Sequence, residues 1–215
     1  MAKAPERGSF LVFEGCDRSG KTTQIEKIVQ RLNSEGRVTR MMRFPERKTN
    51  IGQIIHSYLT NASELDDHAV HLLFAANRWE LKQEIVDTLM SGTHVIMDRY
   101  AYSGVAFSAA KACLNISWCK KTEIGLPKPD MVCFLDVSEE VAKERANFGG
   151  ERYEVLEFQK KVKENYAKLR DPSWVIVSAD GTMEEVEKEL YNLVIKEVEK
   201  YKEELGKLWV EGKQD

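Results

Sequence analysis

Short apolar runs alternate with longer amphipathic stretches along the 215-residue chain. Each run has the length of a buried strand, whereas the stretches between them repeat apolar residues at the spacing of a helix. The runs occupy residues 10–13, 38–44, 94–97, 131–135 and 174–177. This alternation predicts an α/β fold, with a five-stranded parallel sheet and helices on both of its faces.

Three helices have recognisable boundaries. The first is predicted over residues 20–35, because Gly36 supplies a typical C-terminal stop. A single long helix is predicted over residues 67–90, with Asp66 and Asp67 as its cap. Apolar residues at helical spacing among Glu and Lys predict a final helix over residues 182–208, packed on the sheet by one face.

Composition and charge exclude several classes of protein. The hydrophobic fraction of 42% and the charged fraction of 31% are typical of a globular protein, and no repeat or linker divides residues 1–215, so we expect one domain. A net charge of -3 argues against a nucleic-acid binder. No apolar run approaches the ~20 residues of a membrane span, and residues 1–7 lack the apolar segment of a signal peptide. We expect a cytoplasmic protein and leave the nucleus open as a second compartment.

Four cysteines carry no recognisable pattern. Cys16, Cys113, Cys119 and Cys133 have neither the spacing of a C-x-x-C motif nor the density of a disulfide scaffold. We therefore expect reduced thiols.

A phosphate-binding pattern follows the first apolar run. Residues 15–22 match G-x-x-x-x-G-K-S/T, in which Gly15 and Gly20 let the backbone wrap a phosphate. Lys21 adds a positive charge at the start of the next helix, and Thr22 would place its hydroxyl on Mg²⁺. The segment predicts ATP, magnesium and phosphoryl transfer, and the alternative is an ordinary turn between a strand and a helix.

Charged residues also follow the other predicted strands. Asp98 and Arg99 come directly after residues 94–97, where a carboxylate assists a metal ion and an arginine reaches a phosphate, although Asp98 could instead cap a helix. Arg47 lies in the stiff turn after the second strand, and the alternative is a solvated basic turn. If Arg18, Arg47 and Arg99 converge, they indicate a phosphorylated acceptor, because a neutral hydroxyl would demand a carboxylate base.

An aromatic ring and a forked donor lie on one face of the long predicted helix. Phe74 and Arg78 are four residues apart, so they could stack on a nucleobase and hydrogen-bond to it. The periodicity alone favours Phe74 as a core residue beside Leu72 and Leu73.

Six segments together carry a family resemblance. They are the Asp17-Arg18 pair of the phosphate loop and residues 43–47, 71–79, 98–107, 125–130 and 148–154. Taken in order, they resemble the eukaryotic-type thymidylate kinases, a family of P-loop nucleoside monophosphate kinases, over residues 9–180. The resemblance implies a P-loop kinase fold with a short lid over residues 145–154, Mg²⁺ as cofactor, ATP and dTMP as substrates, dTDP and ADP as products, a place in dTTP synthesis, and a homodimer.

The resemblance also implies roles for individual residues. Catalytic roles fall to Arg18, Lys21, Asp98 and Arg99, and the metal would lie between Thr22 and Asp98. ATP would contact Gly15, Ser19, Gly20, Lys21, Thr22, Thr23, Arg145 and Asp180. dTMP would contact Asp17 through its 3′-hydroxyl, Phe74 and Arg78 through its base, and Phe44, Arg47, Arg99, Ser103, Phe107, Tyr153 and Gln159. The lid would contain Phe148, Gly149, Gly150, Glu151, Arg152 and Glu154.

Two classes of alternative remain open at this stage. One is a kinase that acts on another nucleoside monophosphate or on a deoxynucleoside, and the other is a nucleotide-binding switch without catalysis. Within the lid, Arg152 could supply a charge to the phosphates or pair with a neighbouring Glu.

Overall fold

The computed structural model describes residues 6–144, 151–202 and 204–210. Within these ranges five strands alternate with nine helices. The elements are β1 (Phe10–Glu14), α1 (Lys21–Ser34), β2 (Thr39–Arg43), α2 (Asn50–Leu59), α3 (Asp67–Glu80), α4 (Lys82–Met90), β3 (His94–Asp98), α5 (Ala101–Ser108), α6 (Ile116–Lys121), β4 (Met131–Asp136), α7 (Glu139–Glu144), α8 (Leu156–Leu169), β5 (Trp174–Ser178) and α9 (Met183–Val198).

The five strands form one parallel sheet in the order β2-β3-β1-β4-β5. The expected α/β fold is confirmed, with each strand within two residues of its predicted bounds. The central strand, β1, pairs Phe13 with Asp98 on one side and with Cys133 on the other. The strand order therefore reverses at β1, and its carboxyl end is where open parallel sheets bind ligands.

Both faces of the sheet are buried. Phe10 and Val12 of β1 point into a core formed with α5, α6 and α8, whereas Leu11 and Phe13 point into a second core formed with α1 and α9. Successive side chains of a strand alternate between its faces, so a strand covered on both sides is apolar throughout. This explains why the strands appear in the sequence as continuous apolar runs.

The predicted first helix is confirmed. Gly20 precedes α1 with φ of 81° and Gly36 follows it with φ of 80°, both in the left-handed region that glycine tolerates. After the helix, the amide of Arg37 donates to the carbonyl of Leu32 at 2.9 Å, which closes the last turn.

The single long helix predicted over residues 67–90 is wrong. Asp66 caps the start as expected, since its carboxylate accepts from the amides of His68 and Ala69. The chain then breaks at Leu81, which separates α3 from α4. Leu81 still packs against the core. The apolar spacing therefore continues across the break, and periodicity could not reveal it.

The final helix is shorter than predicted. It begins at Thr182 with a capping box to Glu185, but it ends at Val198 instead of reaching residue 208. Beyond it the chain crosses to the opposite core, where Leu205 packs and Leu208 is buried. The apolar residues at helical spacing are therefore divided between two cores, one on each face of the sheet.

The four cysteines are free thiols. None of the helices within the described ranges has the length and apolarity needed to cross a membrane.

Candidate active site

A cleft of about 870 Å³ opens at the carboxyl ends of β1, β2 and β3. Its walls come from the loop before α1, the turn after β2, helices α3 and α5, and the segment before α8. These elements are distant in sequence, and the reversal of strand order at β1 brings them together.

Most of the predicted site residues line this cleft. They are Asp17, Arg18, Gly20, Lys21, Thr22, Thr23, Phe44, Arg47, Phe74, Arg78, Asp98, Arg99, Ser103, Phe107, Glu151, Tyr153 and Glu154. Gly15, Ser19, Arg152, Gln159 and Asp180 are not among its lining residues. Arg145, Phe148, Gly149 and Gly150 lie outside the described residues.

The phosphate loop requires glycine at its start. A Cβ on Gly15 would lie 2.6 Å from the carbonyl oxygen of Leu135 in β4. The backbone φ of Gly15 is 147°, a conformation that glycine adopts readily and other residues rarely do. Ser19 is buried and its hydroxyl accepts from the Lys21 ammonium at 3.0 Å. The loop is therefore packed closely on the sheet, with Lys21 at its centre.

Lys21 is held by the loop itself. Its Nζ donates to the carbonyl oxygens of Gly15 at 3.1 Å and Cys16 at 2.7 Å. Burial, together with the positive charge of Arg99, lowers the pKa of Lys21 to about 8, against the opposing effect of Asp98. An anion bound beside this ammonium would stabilise its charged form.

Oxygen ligands suited to magnesium meet beside Lys21. The hydroxyl of Thr22 donates to Asp98 Oδ2 at 2.5 Å, and Arg43 Nη2 donates to the same oxygen at 3.3 Å. Mg²⁺ prefers oxygen and takes most of its ligands from water and phosphates, so one carboxylate and one hydroxyl fit it. The described ranges hold no group of three or more His, Cys, Asp or Glu side chains that could bind a metal ion.

Arg99 links the phosphate loop to α5. Its Nη1 donates to the carbonyl oxygen of Gly15 at 3.0 Å and to the hydroxyl of Ser103 at 3.2 Å, while Nη2 donates to Asp17 Oδ1. Its φ of 65° lies in the left-handed region that non-glycine residues seldom adopt. The surrounding contacts therefore hold Arg99 in a strained backbone conformation.

Glu14 does not line the cleft, but it supports Tyr100 and Ser103, which do, and the sequence analysis missed this role. It is fully buried and accepts from the amides of Tyr100 at 2.9 Å and Ser103 at 3.1 Å, and from the hydroxyl of Tyr166 at 2.9 Å. Burial raises the pKa of Glu14, and the Ser103 hydrogen bond and the Arg99 charge oppose that shift. Glu14 accepts from the backbone amides at the start of α5, which is the role that a helix cap would have. The alternative of Asp98 as a helix cap is therefore wrong. A charged residue ending the first apolar run was the only sequence signal.

Two arginines of the cleft pair with carboxylates of the predicted lid segment. Arg18 Nη2 lies 2.9 Å from Glu154 Oε2, and Arg47 Nη2 lies 2.8 Å from Glu151 Oε1. Arg47 lines the cleft, and its side chain is 40% exposed, so the turn after β2 is part of the cleft wall and is also solvated. Arg18, Arg47 and Arg99 line one cleft, which meets the condition for a phosphorylated acceptor that the sequence raised.

Gln159 supports Asp17 instead of lining the cleft. Its Nε2 donates to Asp17 Oδ2 at 2.7 Å and its Oε1 accepts from the Asp17 amide at 3.1 Å. The same Nε2 donates to the carbonyl oxygen of Tyr153 at 2.9 Å. Gln159 thus fixes one face of the loop relative to the segment before α8.

Aromatic rings form the far end of the cleft. Phe74 packs against the small apolar cluster around Val70, yet it also lines the cleft, so both readings of this residue hold in part. Tyr153 lies 5.8 Å from Phe107, measured between ring centroids. Arg78 is buried beside them and pairs with Glu123 through Nε and Nη2. This end has the flat surfaces and the donor that a base requires.

The remaining predicted residues lie apart from the cleft. Arg152 donates to the carbonyl oxygen of Tyr58 at 3.0 Å and pairs with Glu64 at 2.7 Å, so of the two alternatives it pairs with a Glu, though one that is distant in the sequence. Asp180 follows β5, where its Oδ1 accepts from the Ser138 amide at 2.8 Å. Arg152 therefore anchors the end of the predicted lid to the segment after α2.

Comparisons with known proteins agree with this geometry. The family model for thymidylate kinase matches residues 13–190. A thymidylate kinase of Arabidopsis thaliana is 52% identical over 205 residues, which cover 94% of this chain and 78% of that protein. The human thymidylate kinase is 42% identical over 96% of this chain and 99% of its own length. A solved thymidylate kinase structure from Candida albicans matches with a TM-score of 0.87 and 36% identity, covering 95% of this chain and 99% of that one. With its parallel sheet and phosphate loop, the chain belongs to the thymidylate kinase family.

Proposed function

We propose that the protein transfers the γ-phosphoryl group of ATP to dTMP, giving dTDP and ADP for dTTP synthesis. Family membership supports this activity. The observation that carries it is the shared cleft: Lys21 and Thr22 of the phosphate loop face the same space as Arg18, Arg47 and Arg99. A donor site alone would not need three further arginines.

The donor side follows from the phosphate loop. The loop amides and Lys21 would bind the ATP phosphates, since helix N-termini and ammonium groups both favour anions. Thr22 and Asp98 would hold Mg²⁺, which supplies charge neutralisation on the phosphate oxygens when bound. We extend the ATP site to Gly15, Ser19, Gly20 and Thr23 as predicted from the sequence.

The acceptor side needs positioning more than proton removal. A phosphate monoester has a second pKa of about 6 and is mostly dianionic at neutral pH, so no strong base is required. Arg47 and Arg99 would hold this phosphate, and Asp17 would meet the 3′-hydroxyl of the sugar. Phe74 and Arg78 would bind the base. Catalysis then rests on alignment and on charge stabilisation by Arg18.

An acceptor panel tests the proposed activity. ADP formation is measured with dTMP, dUMP, dCMP, AMP and thymidine at saturating MgATP. We expect dTMP to be the best acceptor, and negligible turnover with dTMP would overturn the proposal. Preference for thymidine would favour a deoxynucleoside kinase, and ATP binding without any turnover would favour a switch.

Replacing Arg99 by Ala separates the two substrates. Loss of a bidentate contact to phosphate should weaken dTMP binding by about 2–3 kcal/mol, whereas ATP binding should change little. Calorimetric titration of each nucleotide measures the two affinities. An equal loss of both would contradict the assignment of Arg99 to the acceptor.

The assembly and location of the protein are further proposals. We propose a homodimer, supported by Leu72 and Trp79 of α3, whose side chains are 48% and 37% exposed. Sedimentation velocity tests it, and a monomer at micromolar concentration would refute it. We also propose the cytoplasm, with the nucleus as a second compartment, which imaging of the tagged protein tests.

A further inference from the structure

A buried ion pair lies behind the base end of the cleft. Arg78 Nε donates to Glu123 Oε2 at 2.8 Å, and Arg78 Nη2 donates to Glu123 Oε1. The Arg78 and Glu123 side chains are 2% and 0% exposed. This bidentate arrangement fixes the plane of the guanidinium, because both contacts must be kept at once.

The rest of the guanidinium is available to the cleft. Arg78 lines the cleft, whereas Glu123 does not. Nη1 has no hydrogen-bond partner among the described residues. An arginine carries N–H donors and no acceptor, so the group can present only donors to a ligand.

Gly104 of α5 confines the same group from the other side. A Cβ at this position would lie 2.2 Å from Arg78 Nη2 and 2.8 Å from Cζ. The guanidinium therefore lies against the bare backbone of α5 while Glu123 holds its other edge. It has little freedom to rotate.

The fold contains a second buried ion pair, which lies away from the cleft. Arg7 is bidentate to Asp130, at 2.9 Å through Nη1 and 2.7 Å through Nη2, and it also binds the carbonyl oxygen of Glu204. Neither residue lines the cleft. That pair joins segments of the fold, and it offers a matched control.

We propose that Glu123 is a positioning residue for base recognition: it holds the Arg78 guanidinium in the plane that directs donors at the base edge. The site thereby selects a pyrimidine with a carbonyl at that edge over one with an amino group. This inference rests on the proposed acceptor site, and it assigns the selection to a residue that does not touch the nucleotide.

The physical consequence is a difference between two pyrimidines. A carbonyl acceptor satisfies the fixed donors, whereas an amino group faces them with a second donor and leaves buried N–H groups unsatisfied. If the guanidinium turns freely, the carbonyl loses a well-aligned partner and the amino group loses its repulsion. The preference for a carbonyl-bearing pyrimidine over an amino-bearing one should therefore fall, because the first binds less well and the second is no longer repelled.

The test compares Glu123→Gln with Asp130→Asn. Each removes one carboxylate from a buried bidentate pair. For both variants, kcat and KM are measured with dTMP, dCMP and ATP, and thermal stability is recorded alongside. We expect Glu123→Gln to raise the KM for dTMP about tenfold, a cost of about 1.4 kcal/mol. The ratio of kcat/KM for dTMP to that for dCMP should fall at least tenfold, while the KM for ATP stays within twofold.

Asp130→Asn should lower stability and leave the dTMP to dCMP ratio unchanged. If Glu123→Gln behaves in the same way, Glu123 is merely structural and the proposal fails. Glu123→Asp serves if the Gln variant does not fold: it keeps the charge, shifts the carboxylate by one methylene, and should lower the ratio in the same direction. An unchanged ratio in that variant also overturns the proposal.

A double variant tests whether Glu123 acts through Arg78. In an Arg78→Ala background, adding Glu123→Gln should not lower the dTMP to dCMP ratio further. An additional loss as large as in the wild-type background would overturn the proposal. A wild-type enzyme that does not use dTMP at all would instead refute the proposed function.

Discussion

Replacing Gly104 by Ala should have two opposing effects on stability: a gain in helix propensity and a steric clash with Arg78. Ala is favoured over Gly in a helix interior by about 0.8–1 kcal/mol, so propensity alone predicts a more stable protein. The new Cβ, however, would lie 2.2 Å from Arg78 Nη2, where ordinary contacts begin at 3.4 Å. The guanidinium would have to move by about 1 Å.

Such a move is costly here because the arginine is not a loose surface chain. Arg78 is 2% exposed and is tied to Glu123 at two of its nitrogens. Overpacking typically costs about 1–3 kcal/mol, which exceeds the gain in propensity. We expect a net loss of about 1 kcal/mol, which lowers Tm by about 2–4 °C in a protein of this size.

The same displacement should weaken acceptor binding. A misdirected hydrogen bond from a charged donor loses about 1.5–3 kcal/mol, so the KM for dTMP should rise at least tenfold while the KM for ATP does not change. Differential scanning fluorimetry and a coupled assay measure the two effects. Gly206→Ala is the control, since its Cβ would lie 3.5 Å from Lys128 Cβ. A Gly104→Ala protein with raised Tm and unchanged KM for dTMP would refute the reasoning.

Three further predictions concern neighbouring contacts. Gln159→Leu removes a hydrogen bond of 2.7 Å to Asp17, so the KM for dTMP should rise severalfold, and the same change seen with 3′-deoxy-dTMP would contradict the proposed sugar contact. Glu151→Gln frees Arg47 from a pair that is about 40% exposed and worth at most ~1 kcal/mol; the KM for dTMP should fall by up to about fivefold at low salt, and a rise would oppose the idea. Burial lowers the pKa of His71 from 6.5 to about 4, with the Arg78 charge acting in the same direction. Between pH 6.5 and pH 4, His71 is therefore protonated in the unfolded chain but neutral in the native state. The free energy of unfolding should fall by up to about 3 kcal/mol as pH falls through this range. Denaturant unfolding should show this slope in the wild type and a smaller one in His71→Gln; equal slopes would count against it.

Local patterns in the sequence were sufficient to predict the strands of the sheet and the position of the phosphate loop. The five strands appear as apolar runs because both faces of the sheet are covered, and burial on both sides leaves no polar alternation. The loop before α1 is recognisable because Gly15 must approach Leu135 without a side chain. Each of these requirements fixes the residue types of one short segment, so the sequence displays them directly.

The helix limits were harder to predict. The break at Leu81 and the end of α9 at Val198 leave the apolar spacing undisturbed, because the residues beyond each limit still pack against a core. Periodicity reports which residues are buried. It does not report whether one straight helix buries them.

The partners of the site residues were decided by the tertiary structure alone. Arg78 and Glu123 are 45 residues apart, and Asp17 and Gln159 are 142 apart, yet each pair is in direct contact. Glu14 likewise carries no motif and is defined by the donors that the folded chain brings around it. The sequence by itself indicated which groups are suited to binding phosphate. Only the fold decided how those groups are held, because a buried charge is stabilised by partners that come together once the chain is packed.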